Sequence, residues 1–149
     1  GPIYGLIDQP YIGERFMGGL GRAELVGPLG RRALKTRAPR PLSEAILFTT
    51  FPEVGTAAEG AAFDRVKAQA RLTRYGTDCY AYGLIAAGQI DLVIEAGLQA
   101  YDVQGPIAVI EAAGGIVTNW EGGKAHMGGR ILAAANRAIH AEALAALNA

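Results

Sequence analysis

From Ser43 onward the sequence alternates short apolar runs with stretches of helical periodicity, and this rhythm restricts the fold more than any other feature. Residues 45–50 read as a buried strand. Residues 59–70 read as an amphipathic helix with Phe63 and Val66 inward and Asp64, Arg65 and Lys67 outward. A short strand follows at 72–74, then a helix over 77–87 stopped by Gly88 and a strand over 90–95. The spacing predicts a helix over 102–113 closed by Gly114-Gly115, since helix ends favour a glycine in the left-handed conformation. Because Pro106 would strain a helix interior, a start nearer Gly105 is expected, leaving Asp102 in the preceding turn. Strands at 116–118 and 131–133 and a closing helix over 136–147 complete the pattern. Strand–helix alternation of this kind predicts an α/β layered domain over 43–149.

Upstream the rhythm differs. Residues 3–7 and 14–17 read as strands around a turn at Asp8-Gln9-Pro10, and Gly18-Gly19-Leu20-Gly21 makes the next turn. Residues 23–26 lead to a break at Gly27-Pro28. Strands so closely spaced predict antiparallel pairing. Residues 30–43 are basic and Pro-rich and read as a linker between two sheet layers. The expected division is therefore 1–42, sheet strands plus linker, and 43–149, the α/β domain.

Composition removes several function classes. Fourteen basic and fourteen acidic side chains cancel, so no polycationic surface points to nucleic acid. The cluster Arg31, Arg32, Lys35, Arg37 and Arg40 reads as a solvated loop. No apolar run reaches the ~20 residues that span a bilayer, and no charged-then-apolar signal segment opens the chain. One cysteine, Cys79, excludes an internal disulfide and fits a reducing cytoplasm, where it is expected to be a packed, inert thiol. Ser43 is the sole serine and has no His–Asp pattern near it, so a serine hydrolase is excluded. His126 and His140 lack partners at metal spacing and read as surface or packing residues.

The carboxylates carry more. Asp102 opens a predicted helix, where spacing alone fits either a simple N-cap or an oxygen ligand for a hard cation. Glu95 ends a strand, where α/β sheets place ligand-binding groups and where surface acids are also common. Gly76, Thr77 and Asp78 are expected to open a helix whose free N–H groups would meet polar substrate atoms. Arg74 can fork two donors onto an anion, or pair with an acid such as Asp91. Tyr80 and Tyr82 cannot both face inward on one helix, and core packing is the reading for either.

The same residues resemble a known family. The stretch Arg74 to Gly123 is similar to the C-terminal half of the inositol monophosphatase superfamily, Mg²⁺-dependent sugar-phosphate phosphatases. The aromatic-Asp…Glu-Ala-Gly-Gly signature of that superfamily stands here as Tyr101-Asp102 and Glu111-Ala112-Ala113-Gly114-Gly115. Arg74-Tyr75-Gly76-Thr77-Asp78-Cys79-Tyr80-Ala81-Tyr82 and the Tyr-Asp pair resemble the histidinol-phosphate phosphatase branch. The resemblance implies a layered αβαβα fold, of which this chain would hold part of an antiparallel sheet followed by an α/β layer with a mixed sheet. It also implies Asp102 as a Mg²⁺ ligand, and Arg74, Gly76, Thr77, Asp78 and Glu95 as substrate-binding residues. The family's upstream Gly-x-Glu and Asp-Pro-Ile-Asp-Gly-Thr motifs occur nowhere in the 149 residues, so no catalytic residue is expected in this half.

The function implied is phosphomonoester hydrolysis of a small ester, histidinol phosphate first, with inositol 1-phosphate or a related sugar phosphate as the alternative. The partners implied are that ester and a second copy of the full-length enzyme, or a complementary N-terminal fragment. A reading of another class, a non-catalytic module or one member of a split pair, follows from the missing motifs.

Overall fold

The computed structural model describes all of residues 1–149. Four strands, β1 (Tyr4–Gln9), β2 (Glu14–Gly19), β3 (Arg22–Gly27) and β4 (Gly30–Ala33), form an antiparallel meander. The last of these was not expected. Gly30-Arg31-Arg32-Ala33 lies within the stretch read as a linker, and every residue in it is exposed. With no buried face there is no apolar alternation to signal a strand, and pairing with β3 alone holds it.

The second sheet contains β5 (Ile46–Thr49), β6 (Leu72–Tyr75), β7 (Leu92–Leu98), β8 (Ile116–Thr118) and β9 (Gly129–Ala134), in the order β6-β5-β7-β9-β8. β5 runs parallel to β6 and β7, while β9 is antiparallel to β7 and β8, so the sheet is mixed as expected. Four helices accompany it: α1 (Ala57–Lys67), α2 (Tyr80–Ala86), α3 (Ala100–Ala112) and α4 (Arg137–Leu147). No helix is long and apolar enough to cross a membrane.

Helix starts are set by side-chain chemistry more than by periodicity. In α1 the Thr56 hydroxyl accepts the Glu59 N–H at 3.3 Å while the Glu59 carboxylate takes the Thr56 N–H at 2.8 Å. This capping box, worth about 1 kcal/mol, begins the helix two residues before the predicted Glu59. α3 likewise starts at Ala100, ahead of the expected position near Gly105. The Asp102 carboxylate accepts the Gln99 N–H at 2.7 Å, which fixes the start, and the helix continues through the buried Pro106. At its far end Gly114 has φ 101°, the left-handed stop that the Gly pair predicts.

The layers stack as first sheet, α2 with α3, second sheet, then α1 with α4. One apolar cluster runs from Ile7, Phe16 and Leu25 of the first sheet through Ile85, Val103 and Ile110 to Val93 and Ile131 of the second. A second cluster joins Phe63 and Val66 of α1 and Ile139 and Ala143 of α4 to Leu47, Leu92 and Leu132. Because α2 lies between two sheets, its two tyrosines turn to opposite sides and both pack inward, against the expectation that they cannot both face inward. Tyr80 turns toward the first sheet, edge-on to Phe16 at 5.7 Å, with its hydroxyl donating to Glu14 at 2.5 Å. Burial and that carboxylate push its pKa up to about 12. Tyr82 turns the other way and is buried.

The first sheet meets α3 so closely that only glycine fits. A Cβ on Gly5 would overlap the carbonyl oxygen of Gly105, and one on Gly18 would sit 2.5 Å from Cα of Val109. Those obstacles are backbone, which cannot swing aside. Gly5→Ala is expected to cost about 1–3 kcal/mol or more through overpacking, measured by urea unfolding. An unchanged midpoint would mean the layers separate freely.

The basic cluster also departs from a solvated loop. Arg37 and Arg40 reach the buried Asp91 at 3.1 and 3.2 Å, and Arg31 pairs with Glu24 at 2.8 Å.

Candidate functional site

In the order β6-β5-β7 the chain leaves β5 to one side and then crosses to the other, and α1 and α2 cover opposite faces of the sheet. Such a reversal opens a crevice at the carboxyl ends of the two strands between which it occurs. A cleft of about 390 Å³ lies there. Thr49 and Thr50 line it from the end of β5, Glu95 to Leu98 from β7, Asp78, Cys79 and Tyr82 from around the start of α2, and Asp102 from the first turn of α3.

Of the residues singled out from the sequence, the fold brings Asp78, Glu95 and Asp102 to this cleft. Arg74, Gly76 and Thr77 are not among its walls. Arg74 sits on the edge strand β6, exposed, and donates to the carbonyl of Thr73 at 3.0 Å. It does not pair with Asp91, which is taken by Arg37 and Arg40. Thr77 keeps its hydroxyl buried without a hydrogen-bond partner.

The expected helix opening at Gly76 to Asp78 also differs. α2 begins at Tyr80, and Asp78 has φ 46°, left-handed backbone that a non-glycine residue adopts only under constraint. These residues form a turn ahead of the helix, so no array of helix N–H groups points from them. Strained backbone of this kind concentrates at ligand sites, and here it sets Asp78 on the cleft wall. Cys79 is exposed, contrary to the packed thiol expected. Partial desolvation and then the Asp78 charge raise its pKa, so it stays a protonated thiol.

Glu95 is the most enclosed acid of the cleft, 6% exposed. Its carboxylate accepts the Tyr82 hydroxyl at 2.5 Å and the Thr50 hydroxyl. Burial first, then the Glu95 charge, hold the Tyr82 phenol well above its ordinary pKa. Asp102 has one oxygen engaged by the Gln99 N–H and the other without a partner. Sequence reading missed Thr50 and Tyr82. Thr50 follows β5 immediately and Tyr82 carries a polar tip on a buried ring, signals that become specific only when Glu95 is known to lie between them.

No group of three or more His, Cys, Asp or Glu side chains comes together closely enough to hold a metal ion. Mg²⁺ demands near-octahedral oxygen coordination, and one Asp102 oxygen does not supply it. The donors of this chain alone do not fit a catalytic metal cluster.

A mixed α/β fold with an acid-lined cleft at a strand-order reversal defines a small-ligand site. The Inositol monophosphatase family model matches residues 1–149, and the chain belongs to that family. It is 45% identical over 121 residues to the bifunctional phosphatase IMPL2, chloroplastic, of Arabidopsis thaliana, covering 81% of this chain and 34% of that protein. It is 27% identical over 154 residues to an inositol-1-monophosphatase of Caulobacter vibrioides, covering all of this chain and 59% of that protein. An inositol monophosphatase structure from Zymomonas mobilis superposes with a TM-score of 0.92 at 32% identity, over 99% of this chain and 58% of that one. The chain thus spans between a third and three fifths of the length of these relatives.

Proposed function

We propose that the chain forms the substrate-handling half of a Mg²⁺-dependent phosphomonoesterase acting on a small polar phosphate ester. The observation that carries this reading is the placement of Asp102 and Glu95 on one cleft, a helix-start carboxylate with a free oxygen beside a buried, hydrogen-bonded one. Asp102 would join carboxylates from an upstream half in holding the cation. When bound, Mg²⁺ would neutralise phosphate charge and activate water. Glu95 would take hydroxyl or amine donors at the other end of the ester, and Asp78 would line the same end.

Inositol 1-phosphate is the ester best supported, because the named relatives include inositol phosphatases and none is named for histidinol phosphate. Histidinol phosphate stands second on one specific observation. Glu95 is buried and makes no ion pair with any Lys, Arg or His of the chain. A ligand ammonium would supply the missing positive charge.

The test is Asp102→Asn in the phosphatase assembled with its upstream half. Asn keeps the capping oxygen and loses the charge. A ligand role predicts Mg²⁺ affinity at least about tenfold weaker and a matching fall in turnover. The metal-free melting temperature should move by no more than about 2 °C, because the Asn side chain would keep an oxygen for the Gln99 N–H and lose only a surface helix-start charge. Parental Mg²⁺ dependence in the variant would leave Asp102 as a cap alone.

A further inference from the structure

The Tyr82 hydroxyl has a single partner, Glu95, at 2.5 Å, although the ring around it is 2% exposed. A phenol at that depth is tolerated only with its hydroxyl satisfied. The second donor to Glu95 is the Thr50 hydroxyl, which comes from the opposite side, just past the end of β5. Each carboxylate oxygen thus receives one neutral donor, Oε2 from Tyr82 and Oε1 from Thr50. Two donors on two elements fix both the position and the plane of the carboxylate. Neither donor brings a positive charge, so the negative charge of Glu95 and its remaining lone pairs stay available to the cleft it lines. Burial with two hydrogen bonds and no counter-ion suits an acceptor built for an incoming donor.

We infer that Tyr82 and Thr50 are positioning residues, which hold Glu95 as a pre-aimed acceptor for the hydroxyl or ammonium donors at the non-phosphate end of the substrate. This rests on the phosphoester reading of the cleft. The group anchored is remote from the phosphorus, so it is held equally in the ground and transition states, and weakening it raises KM without lowering kcat.

The experiment is steady-state kinetics of the assembled phosphatase on inositol 1-phosphate and on histidinol phosphate. Tyr82→Phe, Thr50→Val and Thr50→Ser are compared with the parent. For Tyr82→Phe and Thr50→Val, KM is expected to rise about tenfold with kcat changed less than about twofold, while Thr50→Ser, which keeps the hydroxyl, retains the parental KM. The pattern supports the inference on either ester, and the ester showing it decides between the two substrates. If Tyr82→Phe does not fold, the Thr50 pair decides. Unchanged KM in Thr50→Val and in any folded Tyr82→Phe overturns the inference, as does a lowered melting temperature with KM unmoved, the mark of a purely structural role. If the parent hydrolyses neither ester, the proposed function fails. Calorimetric binding of myo-inositol and histidinol to the parent and variants then decides the inference separately. Binding about tenfold weaker in the variants that lose the hydroxyl supports it, and equal binding, or none to the parent, overturns it.

Discussion

The 149-residue chain by itself is expected to release no phosphate above background from inositol 1-phosphate or histidinol phosphate at millimolar Mg²⁺. Hydrolysis in this family reading needs a cation held by several oxygens, and no three acidic side chains of the chain come together around Asp102 to hold one. Asp78 and Glu95 share the cleft but do not join Asp102 in a metal-binding group. Loss of the cation removes charge neutralisation and water activation together, so the effect is on the whole rate enhancement. Adding an upstream segment that carries the Gly-x-Glu and Asp-Pro-Ile-Asp-Gly-Thr motifs should restore turnover. The measurement is phosphate release by the purified chain with and without that segment. Turnover that co-purifies with the chain alone would refute the expectation.

Much of the architecture is legible in the sequence because it rests on local signals. The Gly114-Gly115 pair and the alternation from Ile46 to Ile94 each specify elements through the backbone geometry they permit. What escapes is set by contacts distant in sequence. β4 has no buried face, so pairing is its only trace. The turn at Gly76 to Asp78 has helix-start composition, and the left-handed backbone of Gly76 and Asp78 takes it out of the helix. Helical periodicity assigns one inward face, and α2 has two because sheets cover it on both sides.

The site divides in the same way. Asp102 and Glu95 are visible as acids at a helix start and a strand end, positions with general chemical meaning. Tyr82 and Thr50 acquire theirs from a carboxylate 13 and 45 residues away. Arg74 shows the reverse case, since a residue type suited to phosphate stands in the motif but the edge position of β6 carries it away from the cleft walls. Asp91 reads as one polar residue in an apolar strand, and nothing nearby announces that arginines 54 and 51 positions upstream will close on it.

Removing Asp91 is expected to be the most destabilising single change outside the apolar core. Its carboxylate is 0% exposed, accepts the Ile46 N–H at 2.9 Å and the Arg37 guanidinium at 3.1 Å, and lies 3.2 Å from Nε of Arg40 without hydrogen-bond alignment. These contacts tie the segment between the sheets to the start of β5. Both arginines are mostly buried, so Asp91→Ala would leave two poorly hydrated cations and an orphaned N–H. Breaking a buried pair in this way costs about 3–5 kcal/mol, roughly 10 °C in melting temperature for a domain of this size. Asp91→Asn keeps an acceptor for Ile46 and should lose less. The triple change Arg37→Met, Arg40→Met, Asp91→Leu should recover much of the loss, because the cost lies in the unpaired charges and apolar replacements of similar volume carry none. Thermal unfolding of the four proteins in one buffer tests this. A triple variant less stable than Asp91→Ala would show that the ion cluster itself, and not only its charge balance, holds the two sheets together.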